Sequence, residues 1–398
     1  MALVRGALVM SSGRGKRAQW APRRATSAII LGAFVLLTGC AEERLSGNCA
    51  PRDDVLSSGA VVTRAHGEFR LDAEPYVPEG VNAYWVLGAA RRGQMDRVEA
   101  LFDTLVERRV TLVRIWAFDQ RQRSAIHRRD GTFDEDALVA LDHIFAAASN
   151  RGLRLVATLS NQWADFGGLA VYAGWAGVEM GPDALGSPAV RASLAAYGRH
   201  LAARTNTVTG VAYRDDPTLF GWDLVNELRC EGCAPGLASA FLADVAARLR
   251  EVDDRHLIGA GDEGFSAEHG VDVRRHSATG ELDWVSAHVW PQHWRTLPNV
   301  NGDLDGAGLR AATEGRRWIR TRSAIAREYD LPLLVGELGW HRELGGKRRR
   351  AVVLTSWVEE ARKHRAGSLV WVFGDDEFED YDGYTVREDD DAARVFCR

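Results

Sequence analysis

The feature that most constrains this chain is a repeated alternation. Seven apolar runs, "VTLVRIWAF", "LRLVATLSN", "TLFGWDLVNE", "HLIGAGDEG", "WVSAHVW", "LPLLVGELGW" and "GSLVWVFG", follow a first such run ending near Asn82, and long Ala- and Arg-rich segments separate them. The separating segments carry helix signals. "DEDALVALDHIFAAASNRG" opens on acidic residues and stops at Gly152, as a helix with a left-handed terminator does. Strands that are apolar throughout, rather than alternating, imply a parallel sheet covered on both faces by helices. Eight such units fit a closed (β/α)8 barrel better than an open doubly wound sheet, and no Gly-rich phosphate fingerprint follows the first strand. Ahead of the barrel, "VVTRAHGEFRLDAEPYVPEGVNAYW" reads as a short β-hairpin leading into the first barrel strand.

The N-terminal segment reads differently. Arg14, Lys16, Arg17, Arg23 and Arg24 precede "SAIILGAFVLL", which is too short to span a bilayer but suits a signal-peptide core. It ends in "LTGC", which looks like a bacterial lipobox with Cys40 as the lipidated residue. The expected organisation is a lipoprotein signal over 1–40, a polar tether over 41–55 and one catalytic barrel over 56–398. That predicts an exported, membrane-anchored, monomeric protein, with the outer membrane favoured over the inner because Ala41 follows the cysteine.

Four cysteines remain, Cys49, Cys230, Cys233 and Cys397, an even number that favours disulfides in an exported chain. The preferred reading of Cys230 and Cys233 is a tight staple of the loop after Glu227. A zinc site would want a second pair or suitably spaced histidines, and a thioredoxin-like role would place the CxxC at a helix start after an early strand. Cys49 and Cys397 are candidates to tie the two ends of the mature chain. His288 and His293 lack a third ligand at a sensible spacing, so neither metal nor cofactor is expected. A net charge of -5 offers no concentrated basic surface for nucleic acid.

A barrel places its chemistry at the C-terminal ends of the strands. Asn82 ends the first run, Arg114 and Trp116 the second, Asn161 the third, Asn226 and Glu227 the fourth, His288 and Trp290 the sixth, Glu337 the seventh and Trp371 the eighth. Glu227 and Glu337 would face one another across the mouth, the arrangement that glycoside hydrolysis needs. The alternative for each is a salt-bridged structural glutamate. The thirteen tryptophans are many for this length and suggest flat faces offered to a ligand. Trp85, Trp116, Trp163, Trp175, Trp290, Trp294 and Trp371 lie in or near strand-end loops, with core packing the competing explanation.

The motifs "GVNAYW", "VRIWAF", "LSNQWADFGGLAVYAGWAG", "DDPTLFGWDLVNELRCEGC", "HVWPQHW", "LVGELGW" and "YDGYTV", in this order, resemble glycoside hydrolase family 5 and within it the mannan endo-1,4-β-mannosidases. The resemblance implies a (β/α)8 barrel, retention of anomeric configuration, Glu227 as acid/base, Glu337 as nucleophile, and a local disulfide closing "RCEGC". It implies β-mannan or manno-oligosaccharides as substrate. Asn226 is then placed to bond the sugar 2-hydroxyl, Arg114 to keep Glu337 ionised, His288 to orient a carboxylate or touch the sugar, and Trp371 to lie beneath the sugar being cleaved. "GGLAVYAGW" looks like the loop that builds the leaving-group side. The chain departs from the family pattern at Leu228, where Pro is common, at Gly336, where Glu is frequent, and at Trp290, which replaces a common Tyr.

Rival readings are another β-glycosidase of the same fold, an exo-mannosidase or a β-1,4-glucanase, and a surface glycan-binding lipoprotein without turnover. Two charged runs read as bland. "GGKRRR" is expected to be a solvated helix face, and "GDDEFEDYDGY" has the composition of a calcium loop but not the offsets, and is expected to border the cleft.

Overall fold

The computed structural model describes residues 59–294, 304–344 and 346–397. The segments 1–40 and 41–55, with Cys40 and Cys49, lie outside the described residues, so the lipobox and the Cys49–Cys397 pairing do too. Among the described residues no helix is long and apolar enough to cross a membrane.

The expected hairpin is a three-stranded antiparallel meander: β1 (Thr63–Ala65), β2 (Glu68–Leu71) and β3 (Glu74–Pro75). Eight parallel strands follow: β4 (Glu79–Asn82), β5 (Leu112–Trp116), β6 (Arg154–Thr158), β7 (Leu219–Asp223), β8 (Leu257–Gly259), β9 (Val285–Val289), β10 (Leu333–Leu338) and β11 (Gly367–Val370). Their order is β8-β7-β6-β5-β4-β11-β10-β9. The ring closes where Gly259 bridges Trp284 in parallel and the Asp283 N–H donates to the Ile258 carbonyl at 2.7 Å. Glycine is required at that seam, because a Cβ at 259 would run into the Trp284 indole. The continuous apolar runs are thus parallel strands buried on both faces.

Helices fill the connections for legible reasons. The helix Glu135–Ser149 starts where the Asp134 carboxylate accepts the Ala137 N–H at 2.9 Å, and it ends before Gly152, whose φ of 66° is left-handed. The helix Met95–Glu107 buries Val98, Leu101, Phe102 and Leu105, an i, i+3, i+4, i+7 stripe laid on the barrel wall. The "GGKRRR" run is not wholly solvated. Arg350, on the inner face of helix Gly346–Lys363, is buried on Asp390 and the Thr385 carbonyl, because its position faces the C-terminal segment after β11 while Lys347 and Arg348 are exposed.

The meander plugs the barrel floor. Phe69 packs edge-on against Phe220 at 5.0 Å and Trp284 at 6.5 Å, in a cluster with Leu112, Val156, Leu257, Leu334 and Leu369 from the strands. The floor is therefore filled by apolar side chains, which leaves the opposite, C-terminal mouth for a ligand. Phe69→Ala should destabilise the protein by about 3–5 kcal/mol through the cavity it leaves. Urea unfolding followed by tryptophan fluorescence measures this, and an unchanged midpoint would mean that the meander does not hold the barrel.

Candidate active site

The deepest part of the mouth is built around Arg114, in the middle of β5 and fully buried. Its Nε donates to Asp223 Oδ2 at 2.6 Å. Its Nη1 donates to Glu337 Oε1 at 2.9 Å and Asn82 Oδ1 at 3.1 Å, and its Nη2 to Asn226 Oδ1 at 2.9 Å. One guanidinium thus joins side chains from β4, β7, the turn after β7 and β10. Planar five-donor geometry is what lets a single residue do this.

Glu227 lies beyond the regular end of β7. The chain from Leu224 to Glu227 still pairs with its neighbours, Leu224 N–H to Gly259 O, Val225 N–H to Ala260 O and Glu227 N–H to Gly261 O. Its backbone is left-handed, with φ 54°, a conformation that costs a non-glycine residue on the order of 1–3 kcal/mol and clusters at functional positions. Side-chain bonds hold it there. Trp163 Nε1 donates to Glu227 Oε2 at 2.6 Å, and His288 Nδ1 lies 2.9 Å from Oε1.

Glu337 sits on β10 where the pairing with β9 shifts register between Val335 and Glu337, a bulge that re-aims the side chain. Besides Arg114 it accepts from Trp290 Nε1 at 3.1 Å, and His288 Nδ1 is 3.5 Å from its Oε2. Glu227, His288 and Glu337 bring one ligand-type atom each within 4.8 Å of one another. Each of these atoms is already engaged in hydrogen bonds, and the Arg114 cation at Glu337 disfavours a second cation beside it.

Burial and the neighbouring Glu227 charge push the Glu337 carboxyl up to about 7, against the lowering effect of His288, Arg114 and Trp290. Burial also pushes Glu227 up, but the hydrogen bond and charge of His288, with Trp163 and Arg229, outweigh it and hold that carboxyl below its ordinary value. Burial opposes the imidazolium of His288, yet the two glutamates outweigh it and raise its pKa. Physically, two buried carboxyls this close do not both ionise readily, and near neutrality the pair keeps one proton between them. His288 Nδ1 is in reach of both carboxyls.

Not every expected site residue meets the cavity. Asn161, Trp163, Asn226, Glu227, Trp290, Glu337, Trp116 and Trp371 line a cavity of 1420 Å³. Asn82, Arg114 and His288 do not line it, because strand-end position fixes which end of the barrel a side chain occupies but not its depth. They lie one layer beneath and act on the carboxylates. Asn82 Nδ2 donates to the Gly336 carbonyl at 2.8 Å. Trp85 is also displaced from its expected role. Its Nε1 donates to the Phe373 carbonyl at 2.9 Å and its ring carries the Arg97 guanidinium at 4.6 Å, so it is a packing residue behind the site. Its neighbour Tyr84 lines the cavity instead and stacks on Trp371 at 5.2 Å. Trp175 packs on His127 and Tyr172, away from the cavity. Asn226 spends Oδ1 on Arg114 and one N–H on Asn161 Oδ1 at 3.0 Å, leaving one N–H for a ligand.

Sequence reasoning passed over Asp223, Arg229 and Glu263. Asp223 is a charge inside an apolar strand run, itself a signal. Glu263 closes the fifth run, the one strand end not considered, and Arg229 stands in the same "NELRC" as Glu227. Arg229 donates to both Glu263 oxygens at 2.7 and 2.8 Å, and its guanidinium lies 5.0 Å from the centre of the Trp163 ring. Burial, with Glu227 nearby, pushes Glu263 up to about 7 against the lowering effect of Arg229. Cys230 and Cys233 form a disulfide directly after Arg229, and the Cys230 N–H donates to the His269 carbonyl at 2.8 Å. Tyr381, Asp382 and Tyr384, from the acidic run after β11, border the cleft as expected.

A (β/α)8 barrel with two carboxylates facing each other at the C-terminal mouth is the arrangement that glycosidases use. A family model described as GH family 5 beta-mannosidase-like matches residues 60–348. Putative mannan endo-1,4-beta-mannosidase 9 of Oryza sativa subsp. japonica is 30% identical over 347 residues, 81% of this chain and 81% of that one. Mannan endo-1,4-beta-mannosidase 2 of the same plant is 31% identical over 352 residues, 79% and 77% of the two chains. Among solved structures, the endo-1,4-beta-mannanase from Rhizomucor miehei superposes with a TM-score of 0.74 at 23% identity, over 85% of this chain and 98% of that one, a likeness in fold. The chain belongs to glycoside hydrolase family 5, in its β-mannosidase-like group.

The shared proton gives a pH signature. Below the first ionisation both carboxyls are protonated and no nucleophile exists; above about 7 both are charged and no acid remains. kcat/KM should therefore be bell-shaped with an alkaline limb near pH 7. Trp163→Phe removes a donor that favours the Glu227 anion, so it should move that limb upward; a limb that stays in place would contradict the assignment.

Proposed function

We propose that the protein is a retaining, endo-acting hydrolase of β-1,4-mannosidic bonds in mannan, glucomannan or galactomannan. The observation that carries the reading is the carboxylate spacing. One oxygen of Glu227 and one of Glu337 lie within 4.8 Å of each other, a close approach that favours the roughly 5–5.5 Å carboxyl separation of double displacement over the roughly 6.5–9.5 Å that leaves room for a water in inverting enzymes.

In the first step Glu337 attacks the anomeric carbon while Glu227 protonates the departing glycosidic oxygen, giving a glycosyl-enzyme and a free leaving sugar. In the second, Glu227 takes a proton from water as its oxygen attacks the same carbon and Glu337 leaves. The accessibilities match these roles, whereas the resting charges run the other way, with the shared proton favoured on Glu337. Glu227 is the more accessible of the two, with 13% of its side chain exposed against 3% for Glu337, and a proton donor must reach a leaving group that water later replaces. Arg114 and Trp290 hold Glu337 at a fixed angle and stabilise its anion when it departs. Trp371 and Tyr84 offer a flat apolar platform to the sugar C–H face on the Glu337 side, and the free N–H of Asn226 suits a sugar hydroxyl.

Endo action and mannan specificity are supported by the curated relatives, whose names state mannan endo-1,4-beta-mannosidase, and by a cavity larger than the roughly 300–1,000 Å³ that holds one small ligand. The test is release of reducing sugar from linear β-1,4-mannan, glucomannan and cellulose by the protein and by Glu337→Ala and Glu227→Gln. Wild type should release short manno-oligosaccharides, Glu337→Ala none, and Glu227→Gln should lose about 10²–10⁴-fold in kcat. Cleavage of cellulose alone would make it a glucanase, release of mannose alone an exo-mannosidase, and binding of mannan without turnover a glycan-binding protein.

The address of the protein is a separate proposal. The basic N-terminus, the apolar run and "LTGC" support export and lipid attachment at Cys40. Cells given labelled palmitate should label the wild-type protein in the membrane fraction and not Cys40→Ala; equal labelling of both would remove the anchor.

A further inference from the structure

Glu337 is fixed from one side by Arg114, but its other oxygen depends on a bond that has to be fixed in turn. Trp290 Nε1 donates to Glu337 Oε2 at 3.1 Å. An indole has one polar atom, and here it is spent on the carboxylate, so no second hydrogen bond sets the angle of the ring. Packing has to do so. The His293 imidazole lies nearly parallel to the indole, 5.4 Å between centres and 13° between planes, and the Tyr384 phenol meets it edge-on at 5.0 Å. Trp371 is a third neighbour, edge-on at 6.3 Å, and position 339 has to be glycine, because a Cβ there would run into the indole.

Two of these neighbours are themselves locked. Gln292 Nε2 donates to the Gly339 carbonyl at 3.1 Å and to the Tyr384 hydroxyl at 3.0 Å, and that hydroxyl lies 3.0 Å from His293 Nε2. Burial raises the pKa of the phenol, which therefore keeps its proton. Burial also holds His293 below its ordinary value, helped by Arg229 and His341 and opposed by Glu227 and Asp382, so near neutrality the imidazole is uncharged. A protonated phenol beside a neutral imidazole fixes the direction: Tyr384 O–H donates to His293 Nε2 and accepts from Gln292. The His293 backbone N–H closes a turn on the Trp290 carbonyl at 2.9 Å. His293 follows β9 and Tyr384 follows β11, the two strands that flank β10 and its Glu337. The titratable groups facing Glu337 are Arg114 from β5, Glu227 from the turn after β7, His288 from β9 and Tyr381 from the loop after β11. Among them the indole N–H favours the anion.

We propose that Tyr384 and His293 are positioning residues for the nucleophile: they clamp the Trp290 indole from the β9 and β11 sides and so keep its N–H on Glu337. The inference rests on Glu337 as the attacking carboxylate of the proposed function. Because all three rings line the cavity, positioning has to be told apart from contact with a sugar, and two readouts do this. In protein labelled with ¹⁵N-tryptophan, the Trp290 indole signal, identified by its loss in Trp290→Phe, should titrate with Glu337 at about pH 7 without any substrate. Tyr384→Phe keeps the edge-on ring and loses only the hydroxyl. It should move that signal toward the position of a free indole and raise the titration midpoint by up to about one unit. His293→Ala should do the same, and His293→Gln, which keeps an acceptor for the Tyr384 hydroxyl, should recover part of the shift. On β-1,4-mannan the alkaline limb of kcat/KM should follow the midpoint upward, and kcat should fall about three- to tenfold with KM little changed. Adding Tyr384→Phe to Trp290→Phe should change neither further. An indole signal and an alkaline limb at their wild-type positions in both Tyr384→Phe and His293→Ala overturn the clamp, as does an undiminished effect of Tyr384→Phe in the Trp290→Phe background. Turnover retained by Glu337→Ala overturns the nucleophile assignment, and the clamp's part in catalysis with it. A shifted indole titration in protein that leaves mannan uncut upholds the clamp and overturns the mannan reading.

Discussion

The site depends on a cation without access to water. Arg114 has two carboxylates within hydrogen-bond distance, Asp223 at 2.6 Å and Glu337 at 2.9 Å, and two amide oxygens complete its shell. Burying a guanidinium costs several kcal/mol before any partner is counted, and removing one member of such a buried pair typically costs about 3–5 kcal/mol because the other is left uncompensated. That energy makes the arrangement rigid. β4, β5, β7 and β10 cannot slide against one another without breaking a charge-assisted bond, so Glu337 stays at one place and angle. Glu337 is therefore held before any substrate arrives, which is where electrostatic preorganisation lowers a barrier.

The two glutamates are unlike because their surroundings are unlike. Glu337 faces a buried arginine and an indole N–H deep in the mouth; Glu227 sits higher, in a left-handed turn, between an exposed indole and an imidazole. His288 contacts both, so through it the charge on either carboxyl is felt by the other at hydrogen-bond range. The Trp163 ring is in turn backed by Arg229, which Glu263 holds with two hydrogen bonds. This second layer is tied through Trp163 to Glu227, so a ligand pressing on Trp163 would also press on that carboxyl.

Much of this was legible in the sequence, and what was not has physical reasons. Uniformly apolar runs between capped helices gave away a parallel barrel, since only strands buried on both faces read that way. Strand-end position found Glu227 and Glu337 because barrel chemistry is confined to one end. Depth was not legible. Whether Asn82, Arg114 and His288 reach a ligand or stand behind the carboxylates depends on side-chain direction within a twisted strand, which a bulge such as the one before Glu337 alters by one position. Tyr84 takes the place expected of Trp85 for the same reason: adjacent residues after a strand end point to different sides. Gly336, unusual at its place, also acquires a reason, since a Cβ there would stand 3.1 Å from His288 Nε2 and press on the imidazole. Arg229 and Glu263 partner each other across 34 residues, a pairing that no local pattern announces.

Double displacement at Glu337, with the proton supplied from Glu227, is most directly tested by the configuration of the product when it first forms. Following hydrolysis of a β-1,4-manno-oligosaccharide by proton NMR, before mutarotation mixes the anomers, should show the β-anomer of the new reducing end appearing first. Appearance of the α-anomer first would mean that water attacks directly, and would contradict a covalent intermediate on Glu337 despite the close approach of the two carboxylates.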